Sequence, residues 1–224
     1  MKAAFPSLGW TGPALCGVLV GSLVLGMACK GPGTEADKPP PPASSEEDVL
    51  AGFRALLQAV TTCDQKAFLE AHTQKAQGAL KALDQVVTPE ALALVGQPPG
   101  PDAGLRFSCT VARLAGFLPD QVRPVEVSLN PRIGTARVIF LLRDHEYGFP
   151  MARQFGIWRS PFPGYLFLAN EYKDWREAIM NALPDPNRMP DLVAVLDRIV
   201  EVLDPFQPDW REYPDLAPTR PGTI

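Results

Sequence analysis

From Ser45 onward, apolar residues return at intervals of three and four. Val49, Leu50, Phe53, Leu56, Leu57 and Val60 share one face of a helix with 3.6 residues per turn. Ser45 and Asp48 have the spacing of a capping box, with Asp in place of the usual Glu, and mark its start. Asp64 is placed to cap a shorter helix carrying Ala67, Phe68 and Ala71, and a third helix is predicted over 73–86, weakened by Gly78. Thr88-Pro89-Glu90 restarts a helix with a hydroxyl N-cap, a proline where no N–H is needed, and an acid in the first turn. Gly96 ends that helix, and Pro98-Pro99-Gly100-Pro101 reads as loop. Two periods compete over 105–118. Leu105, Phe107, Cys109 and Val111 alternate as in a strand, whereas Phe107, Val111, Leu114 and Leu118 keep helical spacing. The helical match is longer and predicts a helix.

After Pro119 the period becomes two. Val125, Val127 and Leu129 alternate, Asn130-Pro131-Arg132-Ile133-Gly134 reads as a turn, and Ala136, Val138, Phe140 and Leu142 alternate again, which predicts a hairpin. A second hairpin is predicted from strands over 153–159 and 165–169, joined by Ser160-Pro161-Phe162-Pro163-Gly164. Asn170 can then cap a helix whose apolar face is Tyr172, Trp175, Ile179 and Leu183. Pro184 and Pro186 break the chain, and a last amphipathic helix is predicted over 190–203. Helices, then a four-stranded antiparallel meander, then helices again predict an α+β fold. Its N-terminal helices are expected to pack on a curved sheet within one domain over 46–203. The tail over 204–224 holds five prolines and is expected to be extended, docking through Phe206, Trp210 and Tyr213.

The stretch ahead of the domain has a different character. Lys2 supplies a thin positive start, and residues 14–28 carry no charge. Leu15, Val18, Leu19, Val20, Leu23, Val24 and Leu25 form an apolar run of about fifteen residues, short of the roughly twenty a spanning helix needs, which predicts a signal peptide over 1–28. It ends in Leu25-Gly26-Met27-Ala28-Cys29-Lys30. This segment resembles the lipobox of bacterial lipoproteins, in which a leucine and two small residues precede the lipidated cysteine. Leucine stands one place earlier here, and Gly26-x-Ala28 also matches the small-x-small site of ordinary signal peptidase. Both routes cut before Cys29. The resemblance implies a palmitate-type anchor on Cys29 and attachment to the membrane of the cell envelope. Lys30, where inner-membrane retention would use aspartate, implies the outer membrane, facing the periplasm or the cell surface. Gly31-Pro32-Gly33, the run Pro39 to Pro42, and Ala43-Ser44-Ser45 read as a flexible-to-extended tether over 29–45.

Composition narrows the function classes. Proline, at 25 of 224 residues, is about twice its usual share and clusters at the domain edges. The net charge of −4, with no basic cluster, argues against nucleic acid as a partner. With two histidines and no Cys-x-x-Cys pair, no metal or cofactor is expected. Cys63 and Cys109 either pair, closing a loop of about 46 residues worth about 4 kcal/mol, or stay apart as two buried thiols.

Three candidate sites stand beside plainer readings. Asp144-His145-Glu146 could work as a general base or ligate a metal, although such clusters are more often solvated loops. His72 is a single histidine at a helix end. Trp158, Tyr165, Phe167 and Trp175 gather late in the chain and serve either as the lining of a pocket or as core.

The order of elements over about 46–169 resembles the NTF2-like or cystatin-like cone of small exported lipoproteins. The features that carry this are Leu56-Leu57-Gln58-Ala59-Val60-Thr61-Thr62-Cys63-Asp64-Gln65-Lys66-Ala67-Phe68-Leu69 and the strand end Gly156-Ile157-Trp158-Arg159. The expected function is a lipid-anchored, non-catalytic binding or scaffolding module with an envelope protein partner. The resemblance also implies two alternatives: a carrier of an apolar small molecule or lipid in the cone, or a small NTF2-like enzyme.

Overall fold

The first helix, α1 (Glu46–Thr62), begins where its cap is written. The Ser45 hydroxyl accepts the Asp48 N–H at 3.2 Å while the Asp48 carboxylate accepts the Ser45 N–H at 2.9 Å. These bonds hold the Asp48 carboxyl below its ordinary pKa. Asp64, Thr73 and Thr88 cap α2 (Gln65–Glu70), α3 (Gln74–Ala82) and α4 (Pro89–Leu94) through their side-chain oxygens. A single 3-10 turn, Leu83–Gln85, extends α3. The competition over 105–118 resolves as helix α5 (Ala103–Leu114), whose run Phe107 to Ala112 is wholly buried. These observations come from a computed structural model that describes residues 45–208, which fall within one compact unit. The signal segment, Cys29, the tether before Ser45 and the tail residues Trp210 and Tyr213 lie outside the described residues.

Four antiparallel strands follow in the order of the chain: β1 (Val122–Asn130), β2 (Thr135–Leu142), β3 (His145–Gln154) and β4 (Ile157–Arg159). Val127 pairs with Val138, Val138 with Phe149, and Arg153 with Trp158. Ala136, Val138, Phe140, Tyr147, Phe149 and Met151 are buried on the inner face, as a period of two requires. The fold is α+β, with helices before and after the sheet.

The second predicted hairpin is corrected. Residues 153–159 are the end of β3, a Phe155-Gly156 turn and the short β4. Strand β4 folds straight back onto the end of β3, Ala152 to Gln154, and residues 165–169 are not a strand. They lie in α6 (Gly164–Glu171), where Tyr165, Leu166 and Ala169 are buried together at helical spacing. The true strand was masked by Gly148 and Pro150, residues that usually interrupt strands, although Tyr147, Phe149 and Met151 alternate between them. The helix predicted from Asn170 starts later, as α7 (Lys173–Ala182), after a break at Tyr172 (φ −102°, ψ 127°). The last helix, α8 (Met189–Leu203), buries Leu192, Leu196, Ile199 and Leu203.

Helix α1 runs against β4 at one point of very close approach. A methyl group on Gly52 would sit 2.6 Å from the Trp158 carbonyl oxygen and 2.7 Å from its Cβ. Replacing Gly52 with alanine must push helix and strand apart. The expected loss is about 1–3 kcal/mol in urea denaturation, as for other overpacked sites. An unchanged midpoint would show that the α1–β4 seam has slack.

Candidate functional site

Strand β4 is only three residues long, so no strand among the described residues pairs with the outer side of the earlier part of β3, and α6 lies beside that edge. Pro150, which has no N–H to offer a neighbouring strand, suits that edge. Between β3 and α6 lies a cavity of about 210 Å³. Arg137, Glu146 and Glu171 contribute its charged end, and Phe149, Phe162, Phe167 and Leu168 its apolar wall. The Phe162 and Phe167 rings pack with centroids 4.8 Å apart. Gly148 makes the charged end feasible, because the Arg137 guanidinium lies across it where any Cβ would collide. Tyr172 completes the wall. Its burial, and next the Glu171 carboxylate, push its phenol pKa up, while Arg137 opposes the shift. The arrangement suits a small amphipathic group, apolar at one end and hydrogen-bonding to guanidinium and carboxylate at the other.

The four aromatics singled out in the sequence separate. Phe167 lines this cavity. Tyr165 and Trp175 are fully buried and both pack near Phe117, with ring centroids 6.1 and 5.9 Å from it. Trp158 is buried beneath Gly52 on the far side of β4. Arg137, Gly148 and Phe162 were missed. Glycine inside an alternating strand was the one available signal of a close approach.

The Asp144-His145-Glu146 run divides among three environments. Asp144 shares with Arg143 a two-residue turn in which both residues have positive φ, 65° and 52°. His145 is 66% exposed, and its Nδ1 lies 3.2 Å from Asp174 Oδ2. Glu146 faces the cavity. The Tyr147 hydroxyl donates to the same Asp174 oxygen, and Arg143 donates to the Asp174 carbonyl at 3.1 Å and the Ala115 carbonyl at 3.3 Å. The cluster therefore clamps the β2–β3 turn to the start of α7. Among the described residues, no three His, Cys, Asp or Glu side chains are grouped to hold a metal ion.

His72 is fully buried. Its Nδ1 lies 2.6 Å from the Phe68 carbonyl oxygen, so that nitrogen carries the proton. Its Nε2 is left to accept from the Tyr165 hydroxyl at 3.3 Å. Burial pushes its pKa down to about 4, with the Phe68 bond opposing, so the ring is neutral at pH 7. Each polar atom has a partner, and the role is structural. The Ser160 N–H bonds the Ala71 carbonyl and the Thr73 N–H the Ser160 carbonyl, both at 2.9 Å, which ties the same corner to β4. Cys63 and Cys109 are joined by a disulfide, with Cα atoms 5.8 Å apart, linking the end of α1 to the middle of α5.

Comparison with known protein families, curated proteins and solved structures gave no significant match for the chain.

Proposed function

We propose that this chain is a lipid-anchored protein of the bacterial cell envelope. Its domain serves as a non-catalytic binding or scaffolding module that takes a side chain of an envelope partner into the cavity beside β3. The anchor rests on the lipobox-like segment ending at Cys29. The observation that favours binding over carriage is the filled interior. Phe53, Phe117, Phe140, Phe149, Tyr165 and Trp175 are fully buried, and the rings around Phe117 lie with centroids 5.3–6.1 Å away. They occupy the space in which a cone-shaped carrier would hold cargo. The cavity beside β3, about 210 Å³, is smaller than the roughly 300–1,000 Å³ of a site for a drug-sized molecule, and suits one amphipathic side chain.

The test uses the full chain expressed in bacteria. Wild-type protein should incorporate labelled palmitate and sediment with membranes, and Cys29→Ala should do neither. A Phe167→Glu variant should still unfold in one cooperative urea transition, at a somewhat lower midpoint because the ring leaves Phe162, and should lose the partner recovered from detergent-solubilised envelope. Unchanged fractionation of Cys29→Ala would remove the anchor. A co-purifying lipid with no protein partner would favour the carrier.

A further inference from the structure

Five large apolar side chains are exposed among the described residues, and three of them sit at one end of the sheet. Ile133 (53% exposed) is in the β1–β2 turn, and Phe155 (76%) and Ile157 (55%) are in the β3–β4 turn and just after it. The antiparallel register brings these two turns side by side, and the Arg153 N–H bonds the Gly134 carbonyl at 2.8 Å across them. Phe155 also has a positive φ of 54°, a conformation costly for a bulky aromatic and normally left to glycine or asparagine. The structure therefore holds this ring outward on a tight turn at some cost to itself.

The same end is where α1 begins. Asp48 and Gly52 line one groove with Arg153, Gly156 and Ile157. Ala55, Ala67, Trp158 and Arg159 line the same groove. With Gly52 against Trp158 and Asp48 close enough to Arg153 to feel its charge, α1 runs alongside β4 with its first turn at the β3–β4 turn end. The chain leading back to Cys29 thus leaves the domain beside the exposed tips. Ser45 stands sixteen positions after Cys29. A flexible chain of that length averages roughly 20 Å end to end and reaches no more than about 55 Å. A domain of this size is about 40 Å across. An anchor on Cys29 would therefore keep this end of the sheet closest to the bilayer and at high effective concentration against it. Arg132 and Arg153 accompany the tips, and Glu46, Glu47 and Asp48 fill the first turn of α1. The charges roughly balance, so the patch suits a neutral lipid surface rather than a strongly anionic one.

We infer that Ile133, Phe155 and Ile157 form a membrane-contact patch that seats the domain, tips down, on the bilayer carrying its own anchor. The inference rests on the lipid-anchored reading above. Seating fixes the orientation of the domain and holds the cavity beside β3 in a constant relation to the membrane.

The test is depth-resolved quenching. Full-chain protein is reconstituted into phosphatidylcholine–phosphatidylethanolamine vesicles in which a fraction of the lipid is brominated near the headgroup end of its acyl chains. Phe155→Trp places a reporter at the tip. Lys173→Trp places one on a side chain that is 89% exposed, beside the β2–β3 turn at the opposite end of the sheet, about 25 Å away. Brominated lipid should remove most of the emission added at position 155 and leave that added at position 173 unchanged. Adding Ile133→Ser and Ile157→Ser to Phe155→Trp should restore the emission. Palmitate labelling of the same samples separates the two readings. Labelled, vesicle-bound protein without quenching at position 155 overturns the patch and leaves the anchor standing. Quenching at position 155 in unlabelled protein overturns the anchor and supports the patch. A concentration-dependent dimer that shields position 155 from brominated lipid assigns the patch to a second copy and overturns the inference.

Discussion

A Cys63→Ala/Cys109→Ala double variant is expected to lose about 4 kcal/mol of unfolding free energy relative to the oxidised protein. The bond closes a 46-residue loop, and the chain-entropy model assigns a closure of that length about this value. Total stability for a domain of this size is about 5–15 kcal/mol, so the loss takes a large fraction of it. The location adds to the effect. Cys63 ends α1 in a left-handed conformation (φ 48°), and Cys109 is buried in the middle of α5. The bond thus holds the helix lying along β4 to the helix that passes beneath α6 and α7. Urea denaturation of the wild type with and without reductant, beside the double variant, checks this. Reduced wild type should coincide with the variant. A difference below about 1 kcal/mol between oxidised wild type and variant would mean the unfolded chain is already held compact by other means.

The second large effect is acid destabilisation through His72. Its folded pKa of about 4 lies below the ordinary value of 6.5, because burial penalises the charged ring. Between these values the unfolded chain binds a proton that the folded chain refuses. Stability from this group is complete above pH 6.5, falls by about 1.4 kcal/mol per pH unit below it, and has dropped by about 3 kcal/mol near pH 4. Carboxylates titrate in the same region, so the measurement is a difference against His72→Leu. At pH 7 the variant should be the less stable, by about 1–3 kcal/mol, because the Phe68 carbonyl and the Tyr165 hydroxyl lose their partner. Toward pH 4 the two should converge or cross. A pH-independent difference would show that His72 is protonated in the folded protein or already neutral in the unfolded one.

The helices before the sheet were legible because their start signals act within a single turn. Ser45, Asp64, Thr73 and Thr88 each satisfy a backbone N–H three residues ahead, which needs no partner from elsewhere in the chain. The first hairpin was legible for a similar reason, since Val127, Leu129, Ala136 and Val138 alternate on both sides of a recognisable turn. Reading failed where tertiary packing overrode local preference. Gly148 and Pro150 look like strand breakers, yet one makes room for the Arg137 guanidinium and the other faces an edge that needs no N–H. Tyr165 to Ala169 have a strand-like composition, but the helix forms because it buries Tyr165, Leu166 and Ala169 against α5 and α8.

By itself, then, the order of apolar and polar residues determined the α+β class, the caps, the first hairpin and the short list of side chains with chemistry to offer. Those features depend on neighbours a few residues away and are decided before the chain collapses. Only the tertiary structure decided which of those side chains meet. His72 and Tyr165 are 93 residues apart in the chain, and His145 and Asp174 are 29 apart. The cavity draws on β2, β3, α6 and a residue beyond α8. Such groupings follow from register and helix placement, which are set by burying the whole aromatic core at once, and no local pattern along the chain encodes them.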